Sequence, residues 1–128
     1  MSIKIDISFG ELLDKITILE IKFDRIDDTL KIANVQKELS VLTDTWENAG
    51  IDVSSVDEER QALKEINETL WEIEDDIREH EASKTFGPDF ILLARRVYQT
   101  NDRRARVKRL VNEKLGSALT EEKSYQSY

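Results

Sequence analysis

The residues best placed to do chemistry are polar side chains that helical spacing brings to the edge of an apolar seam. In the stretch 88–115, Asn101, Arg104 and Lys108 recur on the same side as Phe90, Ala94 and Val97. In 56–83, Asn67, Trp71, Glu74 and Arg78 flank the seam, with Glu81 nearer to it. In 9–27, Thr17, Glu20 and Asp24 flank a third seam on the side of Leu13. Charges beside a core must be paired or solvated, because an isolated buried charge is strongly destabilising. The expectation is a polar cluster between the first, third and fourth helices, with Glu20, Asp24 and Glu74 facing Arg104 and Lys108. A structural ion-pair network is the commoner outcome of such a pattern. The sharper one is a pocket in which Arg104 and Lys108 hold a small anion.

Acidic residues at short helical spacing also raise magnesium chemistry. All-α nucleotide pyrophosphatases bind Mg²⁺ through clustered carboxylates, and Glu72-Ile73-Glu74-Asp75 and Glu11 with Asp14 each give a Glu-x-x-Asp pattern. Glu72, however, projects opposite the apolar seam, and the double-Glu partner motif is missing at usable spacing. A chorismate-mutase-like site fares worse, since the first helix offers only Arg25 to a dicarboxylate. No Ser-His-Asp set, Gly-rich phosphate loop or metal-finger spacing occurs. With no Cys and only His80, thiol nucleophiles and Cys- or His-based metal sites are ruled out. No cofactor is therefore expected, and Mg²⁺ only under the enzyme alternative.

The elements that must position these groups are long helices. One Pro and four Gly in 128 residues favour helix over turn-rich sheet. Val56, Leu63, Ile66, Leu70, Ile73 and Ile77 recur at helical spacing over 56–83, interrupted only by Glu59 and His80. Ser8-Phe9-Gly10-Glu11 is a capping box that opens a first helix running to about Asp27. Its seam is Phe9, Leu12, Ile16, Leu19, Phe23 and Ile26, and Ile18 and Ile21 fall on a second face. That helix is expected either inside the bundle or against a second subunit.

A phase shift at Asp27-Asp28-Thr29 predicts a break and a second helix with seam Ile32, Val35, Leu39, Leu42, Trp46 and Ala49, followed by Gly50. Ser55-Val56-Asp57-Glu58 reads as a second capping box, and Pro88 or Asp89 opens the fourth helix, with a possible kink near Thr100. Ile3, Ile5 and Ile7 alternate like a short strand, expected to lie extended on the bundle or to pair with 51–53. The polar tail 116–128 is expected to be mobile.

Charge is unevenly spread. The third helix carries eleven acids from Asp57 to Glu81, whereas 95–114 carries Arg95, Arg96, Arg103, Arg104, Arg106, Lys108, Arg109 and Lys114. The simple reading is charge complementarity between neighbouring helices. A net charge of −8 disfavours nucleic acid and anionic membrane as partners. No apolar run approaches the roughly 20 residues of a membrane span, and MSIKIDIS lacks the apolar stretch of a signal peptide, so a cytoplasmic location is expected.

Three segments carry a resemblance: Gly10-Glu-Leu-Leu-Asp-Lys-Ile-Thr-Ile-Leu-Glu-Ile-Lys22, Leu70-Trp-Glu-Ile-Glu-Asp-Asp-Ile-Arg78 and Val97-Tyr-Gln-Thr-Asn-Asp-Arg-Arg-Ala105. With them the chain resembles a family of short uncharacterised helical proteins of bacteria and marine phages. That family is also similar to a segment attached to tetratricopeptide-repeat proteins, and some members accompany surface-polysaccharide genes. The resemblance implies no activity. It raises Glu11, Asp14, Lys15, Glu20, Lys22, Asp75, Arg78, Asn101, Asp102 and Arg103 as a candidate set.

The expectation is an all-α protein, an antiparallel four-helix bundle-like domain over 1–115 with a short extended N-terminal segment. Its expected role is a non-enzymatic interaction or adaptor module. A homodimer through Ile18 and Ile21 or through the third helix is expected, with a protein partner possible.

Overall fold

The computed structural model describes residues 1–128 and is all-α, with four helices and no strand. They are α1 (Phe9–Arg25), α2 (Thr29–Glu47), α3 (Asp57–Ser83) and α4 (Pro88–Leu115). None is long and apolar enough to cross a membrane.

Local chemistry explains most of the boundaries. The Ser8 hydroxyl accepts from the Glu11 amide at 3.2 Å and caps α1. The reciprocal arm of the expected box does not form, because the Glu11 carboxylate turns to Lys108. The break before α2 is real: Ile26 is extended, and Asp28 caps α2 by accepting from the Lys31 amide at 3.0 Å. The α2 C-cap is Asn48, two residues ahead of Gly50, which takes the left-handed conformation at φ 72°.

The expected Ser55 cap of α3 is corrected. Asp52 takes the local donors instead, bonding the Ser54 amide and hydroxyl, while Ser55 donates to the Asp52 carbonyl. A single 3-10 turn, Val53–Val56, then leads into α3 without a side-chain cap. α3 ends at Lys84 in the left-handed region, and Gly87 followed by Pro88 opens α4. α4 runs unbroken through Thr100 to a left-handed Gly116, so the helix is not recapped there. The N-terminal isoleucines form no strand: Ile7 packs on the core, while Ile3 and Ile5 stay exposed.

The core lies where α1 meets the end of α2, the start of α3 and the end of α4. Leu12, Leu13, Ile16, Trp46, Val56, Leu63 and Val111 form it, and the Phe9 ring meets Trp46 edge-on at 6.5 Å. α1 is buried nearly all round, with Ile21 only 3% exposed and Ile18 half-buried. The two apolar faces of α1 thus serve this chain's own helices, which removes Ile21 from a dimer contact.

α1 meets both helices of the hairpin, and Asp14 accepts from Arg104 of α4 and Asn67 of α3 together. Gly10 lies on Lys108 and Asn112, whereas Glu20 reaches Arg60 and Arg25 reaches Glu68 and Glu72. α1 therefore lies over the base of the α3–α4 hairpin, in contact with both of its helices. At about 1.5 Å per residue, the 27 residues of α3 and 28 of α4 span about 40 Å against about 25 Å for the 17 of α1. The far half of the hairpin has no third helix over it.

Complementary charge along that hairpin is realised at one point only. Glu59 pairs with Lys114, and no other ion pair joins α3 to α4. Arg104 and Lys108 turn to α1 instead.

Gly10 sets how closely α1 approaches α4. A Cβ there would collide with the Lys108 carbonyl oxygen, which the α4 backbone cannot move alone. Gly10→Ala is expected to push the helices apart and lower stability by about 1–3 kcal/mol, as overpacking does, measured by urea denaturation.

Candidate functional site

Three helices deliver polar side chains to one buried knot. Asp14 of α1 is 0% exposed. The Arg104 guanidinium of α4 grips both its oxygens, Nε donating at 2.9 Å to Oδ1 and Nη2 to Oδ2. Asn67 of α3 donates to Asp14 Oδ1 at 2.9 Å and to the Thr17 hydroxyl at 3.1 Å, and that hydroxyl donates to the Asp14 carbonyl at 2.8 Å. Lys108 lies beside them, 2.6 Å from Glu11 and 2.7 Å from Glu121. Asn112 accepts the Gly10 amide at 2.7 Å. Arg104 Nη1 also leans toward Asn101 at 3.4 Å.

The electrostatics follow from these distances. The hydrogen bond to Asp14 raises the Arg104 guanidinium above its ordinary value, against its burial. Burial alone would lower the Lys108 ammonium, but its bonds to Glu11 and Glu121 and the nearby Asp14 outweigh burial and raise it. Lys108 in turn holds the Glu121 carboxyl below the ordinary value. Away from the knot, Glu59 is buried on the α3 seam, and its bond to Lys114 holds it low as well.

The expected cluster between α1, α3 and α4 exists, with other acids in it. Asp14, Glu11 and Glu121 meet Arg104 and Lys108. Glu20 is drawn instead to Arg60 at 3.0 Å and Lys64 at 3.9 Å, and Glu74 to Arg78 at 3.5 Å, while Asp24 is exposed and unpaired. The reason is that Glu11 and Asp14 are the acids α1 turns toward Lys108 and Arg104, whereas Glu20 lies on the side that meets α3.

An anion expected at Arg104 and Lys108 would compete there with carboxylates of the chain itself. Three carboxylates already face these two cations, so the knot is negative overall. The carboxylates considered for magnesium are engaged as well. Glu72 bonds Arg25 at 3.4 Å, Asp14 is locked to Arg104, and no three carboxylate or imidazole groups converge to hold a metal.

Other candidates gather at a groove beside the knot. Trp71, Glu74, Asp75 and Arg78 of α3 and Asn101 and Arg104 of α4 line a cleft of about 490 Å³, with Ile18, Ile21, Leu70 and Val97 as its apolar floor. Lys15 is exposed and 3.8 Å from Glu11; Arg103 is exposed and unpaired. The tail 116–128 has no regular structure and returns along α4, where the Tyr128 hydroxyl donates to Asp102 at 2.5 Å and its ring meets Tyr98 at 5.1 Å.

Gly10, Asn112 and Glu121 were not singled out from the sequence. Asn112 and Gly10 carried a usable signal, since each puts a small or polar residue at a core-facing helical position. Glu121 carried none, because nothing in a polar tail marks where it folds back.

Two outcomes test the knot. Arg104→Met should lower stability by about 3–5 kcal/mol, because it strands a buried carboxylate. Adding Asp14→Leu should recover most of that loss, both read from denaturant midpoints. The second outcome concerns pH. Glu59 and Glu121 have lower pKa values folded than unfolded, so the unfolded chain takes up their protons first. Their stabilisation is complete above the ordinary glutamate value, about 4.3, and is lost as pH falls through the lowered values. Thermal midpoints should drop in that range, and Glu59→Gln should shallow the drop.

Nothing among curated proteins or solved structures matches the chain significantly. A sequence profile does match, over residues 3–128, and it describes a family of unknown function. By that match across nearly its whole length, the chain belongs to the family of unknown function DUF6165.

Proposed function

We propose that the protein is a non-enzymatic helical interaction module that works as a homo-oligomer, built as an antiparallel bundle-like arrangement. The observation that carries this reading is the free half of the α3–α4 hairpin. It extends past α1 and leaves Phe86, Ile91, Leu92 and Tyr98 exposed, with Leu92 at 55%. Large apolar side chains left exposed on a projecting element favour a protein contact. The polar knot supports the same reading from the other side. Its carboxylates are committed to cations of the same chain, which suits a structural role better than catalysis.

Sedimentation velocity across a wide concentration range tests it, together with thermal melts. The expected result is a sedimentation coefficient and a melting midpoint that both rise with protein concentration, and a midpoint that Mg²⁺ and nucleoside triphosphates leave unmoved. A monomer at every concentration, stabilised by Mg²⁺ with nucleotide, would overturn it in favour of a magnesium-dependent nucleotide enzyme.

A further inference from the structure

The side of the hairpin opposite Ile18 and Ile21 carries two stripes of opposite charge that are largely unpaired within the chain, Glu72 with Arg25 being the exception. On α3, Glu65, Asp76 and Glu79 are exposed and form no ion pair. On α4, Arg96 and Arg103 are exposed and equally unpaired. At 100° per residue the three acids share one side of α3, and the two arginines share one side of α4 with Leu92 and Leu110. Asp76, Glu79 and Leu92 line the same shallow cleft, on the side opposite the groove that holds Ile18 and Ile21.

The levels of the two stripes also match. Glu59 meets Lys114 near one end of the hairpin, and His80 meets Phe90 near the other. Counting along from these pairs sets Asp76 level with Arg96, and Arg103 level with the gap between Glu65 and Glu72. The side chains do not pair because both point out of the hairpin plane, from axes some 8–10 Å apart.

We propose that this outward face is the contact between two copies of the chain, related by a two-fold axis parallel to the hairpin. Such a rotation lays the acidic stripe of each copy over the arginine stripe of the other, at the same level, twice over. A two-fold axis across the hairpin sets acid on acid and arginine on arginine, so charge selects one orientation. Leu92 and Leu110 supply the apolar part of the contact. A face this polar makes an association that weakens with salt. The inference rests on the homo-oligomeric reading above and specifies its surface.

Charge exchange tests it by sedimentation velocity on the full chain. One variant carries Arg96→Glu and Arg103→Glu, the other Glu65→Arg and Asp76→Arg. All four sites are exposed, and circular dichroism checks that each variant keeps its helix content. Each variant alone should associate at least tenfold more weakly than the native chain, because its own stripes now repel. An equimolar mixture should recover association, since each altered stripe then meets its opposite. Native association should also fall as salt rises toward about 1 M, where the screening length is about 3 Å. Native dimers unaffected by both exchanges would overturn this surface and leave the homo-oligomeric reading standing. A native chain that stays monomeric at low salt would overturn both.

Discussion

A carboxylate sealed from water keeps its charge only if cations and donors surround it, and Asp14 imposes that condition on three helices at once. Arg104 must arrive from α4 and Asn67 from α3, each at a fixed height along its helix. Sliding any one helix by a turn would leave the charge uncompensated. The knot therefore sets register where the apolar seams alone would tolerate slippage. Gly10, one turn earlier on α1, belongs to the same constraint: its missing side chain lets α1 approach α4 closely enough for Arg104 to reach.

From that knot the molecule divides into two halves of different character. At the base, α1 is wrapped by the other helices and the apolar residues are sealed. Past the end of α1, α3 and α4 have only each other. Ile77 is half-buried there, and Phe86, Ile91 and Leu92 are exposed. Fewer buried contacts make this half the less stable part locally, as binding elements often are. On α4, Arg104, Lys108 and Lys114 are paired with carboxylates of other elements, while Arg95, Arg96, Arg103 and Arg106 have no ion partner. One hairpin thus combines a rigid root with a projecting, charge-striped arm.

Much of the fold was legible from periodicity and caps. The seam Leu63, Ile66 and Ile73 is buried as its spacing implied, and the phase shift at Asp28 marks a true break. The errors have local causes. Ser55 has the right neighbours for a cap, but Asp52 is a stronger acceptor three residues earlier and takes the available donors. On α4 the side through Val97, Arg104 and Lys108 turns inward as its spacing implied, but Ala94 is exposed, and the buried Thr100, Val111 and Asn112 were not read from the pattern. For the site, Arg104, Lys108 and Asn67 could be placed near a core, but their acidic partners could not. Glu20 and Asp14 sit on the same short helix, and spacing along one helix cannot say which of them faces a neighbour.

By itself, then, the sequence determined four helices, their breaks and the presence of charge beside the core, because caps and periodicity act within a few residues of one chain segment. Only the tertiary structure decided how α1 sits on the hairpin, and so which carboxylate meets Arg104. It also decided that Glu121 folds back from the tail to reach Lys108. Crossing angle and long-range pairing depend on how several helix surfaces fit together, and no local pattern encodes that fit.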